Sequence, residues 1–336
     1  MKKENDTTNT SESKMPRINI HLVFLALVVV LIVGIITKLS DWGVMVKQED
    51  IFKDGMGSYD NSYDMMLPAF DVNGDPIYPK YDKNTEILVF GNDPFADDRD
   101  SKDNLANIIA KQTDATVYNC SISGSHLASS EAYLISDLNP MNAFNFYWLS
   151  FVAAGDLVDK EVLDSIKALG QDAPSEAMDV YNTLNSINLD EIDVICIMYD
   201  GDDYLCGSPM YSDDEFYDIE TFTGSLAAGL DLIRENHPNI RFIIMSPTYA
   251  YGIDENGEYI SSDIQTYGQH FLSTYVIKEA EAASALGVTF VDNLYGSIHE
   301  DNADLYLTDN IHLNVDGRKL VAQRFIKAMY YYNDRD

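Results

Sequence analysis

Near the C-terminal end, Asp309 and His312 form an Asp-x-x-His pair that leads through Asn314 and Gly317 into a helical pattern. An acid at that spacing can hold the imidazole in one orientation and let it serve as a base. Far upstream, the apolar run Ile87-Leu88-Val89-Phe90 ends in Gly91-Asn92-Asp93. A hydrolase built on His312 would need a hydroxyl nucleophile beside it and donors for the oxyanion. At the end of this run, however, stands a carboxylate, Asp93. Two more polar segments follow apolar runs: Cys120-Ser121-Ile122-Ser123-Gly124-Ser125, and Asp200-Gly201-Asp202-Asp203.

The elements that must position these residues read as alternating strand and helix. Strand patterns fall at residues 87–91, 116–119, 194–199, 241–246 and 288–292, each apolar on consecutive positions as in strands buried on both faces. Helical patterns fall between and after them, at 105–112, 219–235, 263–286 and 315–332. Gly287 and the His237-Pro238 pair supply helix stops. This alternation predicts an α/β domain: a three-layer, doubly wound, parallel five-stranded sheet of flavodoxin-like type with right-handed crossovers. Ligands on such a sheet bind beyond the carboxyl ends of the strands.

In order, spacing and placement, the strand-end segments resemble the SGNH (GDSL-type) hydrolase family, over about three quarters of the chain from residue 86 onward. Gly91-Asn92-Asp93 matches the first block, with Asn92 for Asp and Asp93 for the nucleophilic Ser. Gly124 matches the glycine of the second block. Asp200-Gly201-Asp202-Asp203 matches the third, usually Gly-x-Asn-Asp, with Asp200 for Gly and Asp202 for Asn. Asp309 and His312 match the last block without change. The resemblance implies catalytic positions at Asp93, Asp309 and His312, and a substrate or oxyanion pocket lined by Asn92, Gly124, Asp202 and Asp203.

The departures bear on mechanism. Without the serine there is no acyl-enzyme route, and a carboxylate at Asp202 would repel the developing negative charge. Losing one oxyanion donor alone costs about 100–1,000-fold in rate. A working serine esterase is therefore not expected; the chain reads as a binding or accessory module. The alternative is an active carbohydrate esterase or O-acyltransferase with rearranged residues, Asp93, His312 and Asp309. No cofactor is expected, except that Asp93, Asp202 and His312 could recruit a divalent cation. Membrane-anchored relatives of this fold work with acyl-transferring membrane proteins on cell-wall polymers. The resemblance thus implies cell-envelope polysaccharide or a membrane acyltransferase as partner.

Composition narrows the setting. The 336-residue chain carries a formal charge of −33, which excludes an electrostatic role with nucleic acid. Residues 1–17 read as a polar cytoplasmic tail and 18–38 as an uncleaved transmembrane helix, since an almost wholly apolar run of about 20 residues spans a bilayer. Lys2, Lys3, Lys14 and Arg17 precede that run, which places the remainder outside the cell membrane. Residues 39–84 read as a juxtamembrane connector and 85–333 as the extracytoplasmic domain. Residues 126–188 form a helical insertion within it. There Phe144, Tyr147, Trp148 and Phe151 fall on one helical face, as core or as a sugar-stacking platform. Asn256-Gly257 marks a hairpin turn. The three cysteines, Cys120, Cys196 and Cys206, are too few for a disulfide framework but leave a Cys120–Cys206 bridge open. No Gly-rich phosphate loop or Cys-x-x-Cys zinc signature occurs.

Overall fold

The computed structural model describes residues 62–155 and 159–333. The expected tail 1–17, membrane helix 18–38 and the first part of the connector, 39–61, lie outside the described residues. Among the described residues, no helix is long and apolar enough to cross a membrane.

β1 (Ala69–Phe70) and β2 (Pro76–Ile77) form a short antiparallel pair. The chain then enters β3 (Glu86–Gly91), α1 (Asp93–Ala96), α2 (Leu105–Thr113) and β4 (Thr116–Asn119). Three helices follow, α3 (Phe146–Ala153), α4 (Asp159–Leu169) and α5 (Ala177–Ser186), before β5 (Val194–Met198) and α6 (Asp202–Cys206). Next come α7 (Phe222–Asn236), β6 (Arg241–Met245) and a hairpin of β7 (Gly252–Ile253) and β8 (Tyr259–Ile260). The described chain closes with α8 (Leu272–Leu286), β9 (Thr289–Val291), α9 (Ala303–Tyr306) and α10 (Val315–Met329).

The central sheet has five strands in the order β4-β3-β5-β6-β9, all parallel. β3 to β4 steps one way and β5 to β6 the other, so right-handed crossovers put α2 and α7 on opposite faces. α2 packs with α10 on one side, and α7 with α3 and α8 on the other. The order reverses at β3, so the switch point where this topology forms its ligand crevice falls at the carboxyl ends of β3 and β5. Gly91 keeps these two strands close. A Cβ at that position would lie 2.0 Å from the Met198 carbonyl oxygen.

Residues 62–67, from the connector region, are woven into the domain. Met65 bridges Phe290 of β9, and the Tyr63 N–H donates to Asp292 Oδ2 at 2.9 Å. Arg241, the first residue of β6, is fully buried. Its guanidinium donates to the Leu67 carbonyl and to the Ala328 and Met329 carbonyls at the end of α10. Those free helix-end carbonyls are what make a buried cation tolerable there.

The aromatic stripe of the insertion resolves as core. Phe144 and Trp148 are buried and Tyr147 and Phe151 half-buried, with the Trp148 and Phe151 rings stacked at 5.9 Å. Phe144 lies on a separate 3-10 turn, Pro140–Phe144, so the four are not one helical face. All three cysteines are free, Cys120 and Cys196 buried and Cys206 exposed, so the Cys120–Cys206 bridge is absent. Helix 263–286 starts later than its pattern, at Leu272, because residues 261–271 are taken up by turns. Gly91→Ala is expected to cost about 3 kcal/mol, the upper end for overpacking, because the clash is with backbone that cannot rotate away. Urea unfolding of the variant against the parent measures it.

Candidate functional site

The crevice is organised by strand ends. Asn92 leaves β3 fully buried: its Nδ2 donates to Asp200 Oδ1 at 2.7 Å and to the Ser125 carbonyl at 3.0 Å. Its Oδ1 accepts the Asp200 N–H at 2.9 Å. One side chain thereby joins the ends of β3 and β5 and the loop after β4. Asp93 opens α1 beside Pro94, which sets the helix start. The Asp93 carboxylate accepts from Ser123 Oγ and, at 3.0 Å, from the Gly124 N–H. Gly124 has φ +66°, a left-handed conformation that suits glycine and turns its N–H inward.

The Asp309–His312 pair is formed, with Nδ1 and Oδ2 2.8 Å apart. Asp309 Oδ1 also takes the Ile311 and His312 N–H groups at 3.0 and 2.9 Å, so the loop folds around the acid. These backbone bonds hold the Asp309 carboxyl below its ordinary range against the opposing pull of partial burial. For His312, burial works downward, but the bond to Asp309 and the charges of Asp309, Asp97 and Asp93 raise it above the ordinary 6.5.

Asp93, Asp97 and His312 bring ligand-type atoms within 4.8 Å of one another, and so do Asp93, Asp200 and Asp202. Asp93 is the shared vertex. The set expected to hold a cation, Asp93 with Asp202 and His312, is thus split between two groups. Burial raises Asp200 well above the carboxylate range, and the charges of Asp202 and Asp93 push it further. Asp202, at the start of α6, is raised by burial and by Asp93 despite the nearby imidazoles of His126 and His312. Among the described residues the carboxylates of Asp97 and Asp202 accept no hydrogen bond in the domain, so both are available to a ligand. Asp203 differs: it is buried and takes the Leu127 and Ala128 N–H groups at 2.8 and 3.2 Å. Its role is to clamp the loop after β4 to α6. His126, carried on that loop, has Nε2 3.9 Å from Cys206 Sγ. Burial lowers the His126 imidazole, but contact with Cys206 and the charges of Asp203 and Asp202 outweigh this and lift it to about 9.

Of the residues singled out by sequence, Asn92, Asp93, Gly124, Asp202, Asp309 and His312 stand at this one edge, and Asp203 braces it from beneath. Asp97 was missed. Its signal was its place one helical turn after Asp93, where i and i+4 share a face. Asp200 registered only as a departure from glycine, yet it is the buried acid on which Asn92 closes.

No family model matches the chain, and no curated protein matches it. Among solved structures, one is 17% identical and aligns over 75% of this chain and 99% of its own, with a TM-score of 0.51. A possible lipase from Chitinophaga pinensis is 12% identical over 73% of this chain and 98% of its own, with a TM-score of 0.47. A protein assigned as an SGNH hydrolase from Slackia heliotrinireducens is 14% identical over 73% and 98%, with a TM-score of 0.40. At such identities the likeness is one of fold alone.

Asp200 yields a signed expectation. Its folded-state proton affinity exceeds that of the unfolded chain, so the folded state binds more protons and stability falls as pH rises above the ordinary Asp range, 3.8. Asp200→Asn keeps an acceptor for Asn92 and for the Asp202 N–H, 3.1 Å away, but carries no charge. The variant should melt higher than the parent at pH 7, with the gap closing as pH falls toward 4, in thermal scans across that range.

Proposed function

We propose that the chain, a parallel five-stranded α/β sheet with its residues of interest at the strand ends, is a membrane-anchored, extracytoplasmic module of SGNH-hydrolase-like fold that does not work as a serine esterase. It acts as a binding or accessory component in the modification of cell-envelope polysaccharide, beside a membrane acyltransferase. The observation that carries this reading is the bonding of Asp93. The Gly124 N–H, which the resemblance assigns to the oxyanion pocket, is taken by the Asp93 carboxylate. The seat of the nucleophile and one oxyanion donor are thus engaged with each other. An acyl group arriving there would meet fixed negative charge where its own charge must develop.

The rival reading is a carbohydrate esterase or O-acyltransferase that uses Asp93, His312 and Asp309, and the formed Asp309–His312 pair favours it. Fluorophosphonate labelling of the full chain in membranes separates serine chemistry from both readings, because only an activated serine reacts. No label is expected on the parent. Asp93→Ser with Asp202→Asn should gain labelling and aryl-ester hydrolysis, since the base and its acid are in place. Labelling of the parent chain, or parent hydrolysis abolished by His312→Ala, would overturn the accessory reading.

A divalent cation forms part of the same proposal, because oxygen-rich clusters suit hard cations and His312 broadens the choice to manganese or zinc. Asp93, Asp97 and His312, or Asp93, Asp200 and Asp202, would be the ligands. Calorimetric titration with Mn²⁺, Mg²⁺ and Ca²⁺ should give saturable heat for the parent and none for Asp93→Ala; equal heats for the two would exclude the site.

A further inference from the structure

A second concave feature lies away from the acidic crevice, where the loop after α6 crosses α8. It encloses about 280 Å³ and is lined in part by Tyr211, Ser212, Glu215, Phe216, Lys278 and Glu281. That volume is close to the lower end of small-molecule sites, about 300–1,000 Å³, and admits a small ring rather than a drug-sized ligand. Tyr211 and Phe216 are 40% and 45% exposed, so two aromatic rings face solvent at the rim of one cavity. We propose that this cavity is a glycan subsite that seats one sugar ring of a neutral oligosaccharide, stacked on Phe216 beside Tyr211, whose own ring already packs against Lys278 and His270. It rests on the polysaccharide reading above and adds a holding site distinct from the acidic crevice.

The cavity is built rather than incidental. Its loop is pinned on the near side, where the Ser208 N–H donates to the Asp203 carbonyl at 2.8 Å and Tyr275 of α8 donates to the Ser208 carbonyl. On the far side, the Phe222 and Thr223 N–H groups donate to the Pro209 and Met210 carbonyls at 2.8 and 3.0 Å. These bonds close the neck of the loop that carries the two rings.

Charge selects the ligand class. Lys278 lies 5.1 Å from the Tyr211 ring centroid and pairs with Glu281 at 2.7 Å, so the cation position over that ring is already filled from within. A second cation would meet Lys278, and an anion would meet Glu215 and Glu281. A neutral polyol avoids both repulsions and can use the same groups as donor and acceptors, with its apolar C–H face on an aromatic ring.

The test titrates full-length protein in detergent micelles with cellotetraose, mannotetraose and N-acetylchitotetraose, with tetramethylammonium as the cationic rival. Saturable binding of at least one tetrasaccharide is expected, weakened about tenfold by Tyr211→Ala or Phe216→Ala. The proposal is overturned if no tetrasaccharide binds at millimolar concentration, if binding survives both ring deletions, or if tetramethylammonium binds in their place. Fluorophosphonate labelling reports on serine chemistry at a separate position, so either result can fail without the other.

Discussion

The side-chain amide of Asn92 is where three chain segments meet, and the rest of the crevice depends on it. An amide offers both donors and an acceptor, and all are used: the acceptor by the Asp200 N–H, the donors by Asp200 Oδ1 and the Ser125 carbonyl. An ionised carboxylate at residue 92 could only accept. It would also stand against the Asp200 carboxyl, with no water to separate the two. Asn92 and Asp200 are thus a matched pair, and each departure from the resembling family's pattern makes the other workable. Because Asn92 is fixed, Asp93 leaves the strand in one direction, toward the loop after β4.

That direction determines what the crevice can do. Asp93 is met by Ser123 Oγ and the Gly124 N–H, two donors from a single turn. The seat of a would-be nucleophile is therefore occupied by a carboxylate hydrogen-bonded from two sides. His312 responds to the same field, since an imidazolium facing Asp309, Asp97 and Asp93 is favoured over the neutral base. The groups that hold the crevice together thus put a carboxylate where serine hydrolysis needs a hydroxyl and shift His312 toward its charged form.

Much of this was legible in the sequence, for identifiable reasons. Consecutive apolar residues bounded by polar turns marked four of the five sheet strands, which are buried on both faces; the edge strand β4, Thr-Val-Tyr-Asn, is half exposed and was marked by its β-branched and aromatic residues. The strand-end rule then gathered Asp93, Gly124 and Asp202, and the Asp-x-x-His motif added His312. Other features depend on tertiary context that no local pattern carries. Arg241 opens β6 and is buried because helix-end carbonyls converge on it. The stripe from Phe144 to Phe151 has helical spacing, but a turn at Asn145 breaks the helix between its first ring and the rest. Asp203 reads as a site acid from its neighbours, whereas its two N–H partners make it a brace. Only the pairing of segments far apart in sequence distinguishes these roles.

The distribution of charge across the sheet argues that the crevice is more than inherited scaffolding. At the β6 and β9 ends the polar groups are paired: Asn293 N–H donates to Ser246 Oγ at 2.8 Å and its Nδ2 to the Ser246 carbonyl at 3.1 Å. Asp292 takes the N–H groups of Tyr63, Leu294 and Tyr295, and beside it Asp64 takes the Asp292 N–H and pairs with Arg324 at 2.6 Å. At the β3 and β5 ends, by contrast, Asp93, Asp97, Asp200 and Asp202 crowd together, and two of them lack donors. Carboxyls placed side by side under partial burial cost stability, and mutation readily finds amide replacements that relieve it. Asp200 spends its carboxyl on Asn92 and the Asp202 N–H, whereas Asp93, Asp97 and Asp202 turn toward the switch point of the sheet, the place where ligands bind in this topology.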